Sequence, residues 1–152
     1  MTNSEEQQKI FWKMYDEFLI ENGEPFTISH ERHWCAVNVK NTKKPRLGMD
    51  FLVGNKKILR VGIYIQNDVD DLFLRMYKEK EKLDSVFNDI DPDYEDMKPV
   101  WHEKCEKGVN TRRIDIEIPI KESSEDEYER IIELSAKYVL KFIEAYRPYI
   151  KV

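Results

Sequence analysis

The chain has 152 residues, 41% hydrophobic and 36% charged, with a net charge of −5 at pH 7. That length suits one domain, able to bury roughly two-thirds of its unfolded surface without a metal or a disulfide, and the apolar content excludes a disordered chain. The acidic balance excludes a protein that coats nucleic acid through bulk charge, while leaving room for a local basic patch.

Thr2-Asn3-Ser4-Glu5-Glu6 lacks the basic-then-apolar order of a secretory signal, and Cys35 and Cys105 lie far apart. No apolar run approaches the ~20 residues that a membrane span requires. These features predict a cytoplasmic chain with reduced thiols and no membrane partner.

The first periodic segment spans Ser4 to Glu21, where Ile10, Phe11, Met14, Tyr15, Phe18 and Leu19 recur at helical spacing. Ser4 with Gln7 reads as its cap and Asn22-Gly23 as its stop. The period then changes to two. Cys35, Val37 and Val39 alternate with polar residues, as do Leu47, Met49, Phe51 and Val53, and then Leu59, Val61, Ile63 and Ile65. Both of the latter apolar sets sit at odd positions, so facing partners must sum to an even number, for example Val53 with Leu59 or Phe51 with Val61. A two-residue loop at Asn55-Lys56 would break that parity, which predicts an odd-length loop or a bulge near Gly54-Asn55.

A second helix is expected from Asp70 to about Phe87, capped by Asp68 or Asp70, with Leu72, Phe73, Met76, Tyr77, Leu83 and Phe87 inward. The acidic stretch Asn88 to Pro99 reads as a loop. Val100-Trp101 begins a short strand, Lys107 to Asn110 makes a turn, and Ile114, Ile116 and Ile118 alternate in a last strand. The final helix runs from about Ser124 to Tyr146 and is ended by Pro148. There is no internal repeat. The order αβββαββα predicts a single α+β domain over residues 1–152, with a mainly antiparallel sheet of about five strands and three helices on one face.

Three constellations bear on chemistry. His30-x-x-His33, Cys35 and His102-x-x-Cys105 carry zinc-type ligands, with His30, His33 and Cys105 the best placed. Neighbours at a strand start diverge, however, and Cys35 is in phase with Val37 and Val39, so structural or surface roles are expected and no metal or other cofactor is assigned. The run Asp89-x-Asp91-x-Asp93-x-Glu95 resembles a calcium loop, but Tyr94 and Val100 stand where an EF-hand needs glycine and an acid. Asp50 suits the first acid of a nuclease with this order of elements. The following strand, Leu59 to Ile65, lacks the acid-x-Lys triplet that would complete a magnesium site.

A binding surface is the third possibility. Trp34, Asn38, Lys40, Asp50, Leu52, Arg60, Tyr64, Arg113 and Asp115 are out of phase with the core, and Gly48 and Gly62 share that phase. Trp34, Arg60 and Tyr64 suit stacking and phosphate contacts to a single strand. The segment Lys40 to Arg46, with Lys40, Lys43, Lys44 and Arg46, adds a positive patch beside Lys56-Lys57. Either a helix covers this face and makes Trp34 and Tyr64 ordinary core, or the face is open.

The Phe11-Trp12-Lys13-Met14 helix, the Ser29 to Trp34 stretch ending in His-Trp, the Lys78 to Lys82 run, Trp101 and the Arg147 to Ile150 close together resemble a bacterial and archaeal domain family of unknown function. The likeness spans almost the whole chain and rests on structural positions. Members of that family often follow a restriction-nuclease-like region. The resemblance therefore implies a non-catalytic accessory role in nucleic-acid processing or defence, with nucleic acid or a nuclease-type protein as partner and no catalytic residue carried over. The alternative expectation is a degenerate metal-dependent nuclease-like enzyme using Asp50.

Overall fold

The computed structural model describes residues 3–39, 46–65, 71–88, 90, 97–103 and 112–149. The alternating segments form strands β1 (Phe26–Glu31), β2 (Trp34–Val39), β3 (Arg46–Phe51), β4 (Ile58–Ile65), β5 (Val100–His102) and β6 (Arg112–Pro119). They make one six-stranded sheet in the order β1-β2-β3-β4-β6-β5, and every neighbouring pair is antiparallel. The helices are α1 (Asn3–Glu21), α2 (Leu72–Tyr77), α3 (Lys80–Ser85) and α4 (Glu125–Tyr146). The α+β class and the antiparallel sheet are as the sequence predicts, with one more strand and one more helix.

The extra strand is β1. Only Phe26 and Ile28 are apolar and buried in it, and the remaining positions are exposed. An edge strand with a polar outer half gives too short an alternation to register as a sheet element. It joins β2 through Arg32-His33, a tight turn in which Arg32 takes a left-handed φ of 56°. The extra helix arises where the expected Asp70–Phe87 helix breaks at Glu79, which adopts φ −109° and ψ 22°. The Lys78 to Lys82 run offers no apolar side chain to hold that turn against the core. Tyr77, expected inward, is 48% exposed. The proposed caps Asp68 and Asp70 lie outside the described residues, as do most of the acidic loop and the Lys107 to Asn110 turn.

Parity holds between β3 and β4. Phe51 faces Leu59 and Met49 faces Val61, with an odd-length connection, 52–58, between the innermost pair. Its register differs by two residues from that expected, because the chain leaves the strand at Phe51 and enters a short 3-10 turn over Val53–Asn55. Leu52, at φ 58°, turns back to pack against the core and does not join the outer face.

At the start of α1, Ser4 lies within the helix and is not its cap, and Ile10 is 43% exposed, outside the apolar stripe assigned to it. The stop is as expected. Gly23 is left-handed at φ 57°, Gly23 N–H donates to the Ile20 carbonyl and Glu24 N–H to that of Leu19, the paired bonds of a Schellman motif. At the start of α4, Ser124 Oγ accepts from Glu127 N–H at 3.2 Å.

One continuous core lies between the inner sheet face and the helices. Phe11 stacks on Phe51 at 3.8 Å between ring centres, and Tyr128 meets both edge-on. Each such buried side chain contributes on the order of 2–3 kcal/mol of burial. Phe87 packs on Tyr138 and Phe142 of α4. Phe73 and Tyr77 of α2 meet Trp101, which pairs with the inward Ile114. All four helices therefore lie on one side of the sheet, and among the described residues no helix covers the other.

Candidate functional site

The outer face is crossed by a row of register partners, three of them small. Ala36, Gly48, Gly62 and Asp115 follow one another across β2, β3, β4 and β6. A methyl group on Gly48 would come within 2.9 Å of the Cys35 carbonyl oxygen and 3.4 Å of Trp34 Nε1, so the indole of Trp34 lies across that glycine. A methyl group on Gly62 would collide with the Ile114 carbonyl oxygen and with Asp115. The two glycines thus form a floor without side chains of its own, on which Trp34 packs over Gly48 and Asp115 beside Gly62.

An ion-pair network crosses this floor. On its β3 side, His33 Nδ1 and Asp50 Oδ1 are 3.1 Å apart. In the middle of the sheet Arg60 reaches three carboxylates, Glu117 at 3.3 Å and Asp50 and Asp115 each at 3.8 Å. On the far side Asp115 meets His102 Nε2 at 3.1 Å and Arg113 Nε at 2.6 Å. His33 and His102 thus each carry their own carboxylate, and Arg60 joins the two pairs. Asp115 is 2% exposed. Burial raises its pKa, a push that Arg113, His102 and Arg60 oppose without cancelling.

The floor, Trp34, Asp50, Arg60, Ile63, Tyr64, Arg113 and Asp115 line a shallow depression with about 20 Å³ of free space, room for roughly one water molecule. Chemically the arrangement offers two half-buried aromatic rings, a bare backbone floor and a set of charges largely answered from within. Three carboxylates, Asp50, Asp115 and Glu117, face two guanidiniums, Arg60 and Arg113.

The expected binding residues Trp34, Arg60 and Tyr64 come together here, and among the described residues no helix covers this face. Arg46 pairs in register with Tyr64, whereas Lys40, Lys43 and Lys44 lie outside the described residues. Asn38 is turned to Ser29 Oγ, at 2.9 Å. The zinc-type residues separate. His30 sits on the helix side, 2.8 Å from Asp16 and stacked on Trp12, and Cys35 is buried in the core. His33 belongs to the outer face, and Cys105 lies outside the described residues. Among those residues no group of three or more metal-type ligands converges.

Sequence reasoning placed Arg113 and Asp115 on this face but had no place for His102 and Glu117 in it. The available signal was Arg113-Ile-Asp115-Ile-Glu117, a strand whose alternate positions are all charged. Alternation of that kind normally marks a solvated face, but here the charges answer charges on neighbouring strands. No protein-family model, curated protein or solved structure matches the chain.

Proposed function

We propose that the outer sheet face is a binding surface for single-stranded nucleic acid, and that the chain is a non-catalytic accessory module serving nucleic-acid processing or defence. The observation that carries this reading is that, among the described residues, the helices lie on one side of the sheet and Trp34 and Tyr64 lie beside Gly48 and Gly62 on the other. Aromatic rings on an open sheet are a recurrent platform for unpaired bases, and the family resemblance points to the same setting.

A metal-dependent nuclease built on Asp50 is the second reading. Asp50 supports it by lying on the same face. Arg60 weighs against it, because its guanidinium already stands where a divalent cation would sit between Asp50 and Asp115.

Gel-shift titration with single-stranded and duplex oligonucleotides tests the proposal. The expected result is binding of the single strand, weakened about tenfold or more by Trp34→Ala, in line with the loss of roughly 1–3 kcal/mol per stacked base. Failure of the wild-type protein to bind any single strand would overturn it. So would magnesium-dependent cleavage that disappears in Asp50→Ala.

A further inference from the structure

Building on the single-strand reading, we infer that this face takes the bases of the strand and turns its phosphates away. Charge decides the orientation. A phosphate seated at the centre of the face would meet Arg60, but Arg60 is already within 3.8 Å of Asp50, Asp115 and Glu117. Arg113 is likewise committed to Asp115 at 2.6 Å. The incoming anion would therefore lie beside three carboxylates shared between two guanidiniums, an arrangement that repels it. A nucleobase is uncharged and carries no such penalty.

Shape points the same way. The depression holds about 20 Å³, too little for a phosphate group to sink between the side chains. A flat ring stacked on the indole of Trp34, which itself covers Gly48, needs no such depth. Trp34 lies over Gly48, and Tyr64 borders the same floor from β4, on the far side of Gly62 from Arg60. Positive charge outside this network is found at the end of the sheet: Lys56 and Lys57, in the connection from β3 to β4, are exposed. The bases are thus assigned to the neutralised centre and the phosphates to the periphery, separating the group that stacks from the group that responds to salt.

Fluorescence anisotropy with three probes of equal length tests the assignment: a mixed-sequence single strand, its fully abasic counterpart with the same phosphates, and the duplex. The expected result is at least tenfold weaker binding of the abasic strand. Trp34→Ala should weaken the base-bearing strand about tenfold and leave the slope of log affinity against log salt unchanged, while Trp34→Phe restores most of the affinity. Lys56→Ala should instead lower the salt slope by about one and spare the preference for bases. Equal affinity for the abasic and base-bearing strands would overturn the base-facing orientation and leave the single-strand reading standing. Absence of binding to every single-stranded probe would overturn both. A thermal melt of each variant separates lost contacts from lost folding.

Discussion

Gly62 on β4 is the cross-strand partner of Asp115 on β6, so close that a methyl group at position 62 would stand 2.6 Å from the Asp115 Cα and 2.7 Å from its Cβ. The absent side chain is what leaves room for Asp115 beside it. Gly62→Ala is expected to cost about 3 kcal/mol or more, at or beyond the upper end of overpacking, because the colliding atoms include backbone. Gly48→Ala meets one backbone oxygen at 2.9 Å and should cost about 1–2 kcal/mol. Thermal melting orders the two: a fall of roughly 10 °C for the first and about half that for the second. Equal melting temperatures would show that the strands part without resistance.

Asp115 sets the acid response of the outer face. Burial raises its pKa in the folded protein in spite of Arg113, His102 and Arg60, so folding disfavours its ionised form relative to the unfolded chain. That contribution to stability is complete below the unfolded carboxylate value of about 3.9 and is lost as pH rises through the raised folded value. Asp115→Asn, which is neutral at every pH, should therefore melt higher than the wild type at pH 7, and the difference should shrink toward pH 3. A variant that melts lower at pH 7 would mean that the arginine pairings outweigh burial.

Glu127 behaves in the opposite sense. Burial is the largest single influence and pushes its pKa up, but hydrogen bonds from Arg130 and the Lys121 backbone, together with their charges, bring it below the ordinary value. Stability from this carboxylate is therefore present above about pH 4.3 and disappears as pH falls through the lowered folded value. Glu127→Gln should cost roughly 1–2 kcal/mol at pH 7, as for other charge-assisted hydrogen bonds. Denaturant titrations at pH 7 and pH 3 check this: the two proteins should differ at the first and converge at the second.

Cys35 is buried among core side chains, and burial pushes its thiol pKa up. The thiolate is the reactive form, so Cys35 should resist a disulfide reagent at neutral pH until the protein unfolds. Mass spectrometry after alkylation with and without denaturant locates the protected thiol. Rapid labelling of Cys35 in the folded protein would contradict its burial.

The core was legible because long alternation leaves few alternatives. Leu59, Val61, Ile63 and Ile65 admit one inward face, and the even sum of β3 and β4 partners followed from position numbers alone. The edge strand escaped detection because Phe26 and Ile28 are followed by Ser29, His30 and Glu31, with no third apolar residue to set a period. Trp34, Arg60 and Tyr64 were found through phase. Asp50, Arg113 and Asp115 were too, but the pairings with the two histidines were not, because His33 meets Asp50 and His102 meets Asp115 across 17 and 13 residues of sequence. Those meetings depend on register and side-chain rotamer, neither of which periodicity encodes.

The tight turn that carries His33 is also held from the opposite layer. Trp12 Nε1 on α1 donates to the Arg32 carbonyl at 2.7 Å, Phe51 N–H donates to the His33 carbonyl at 2.6 Å, and Gln8 of α1 donates to the Phe51 carbonyl at 3.3 Å. A tilt of the first helix would thus be felt at the imidazole on the far surface before any strand had to separate. The helical layer fixes from behind the sheet a turn whose imidazole lies on the opposite face.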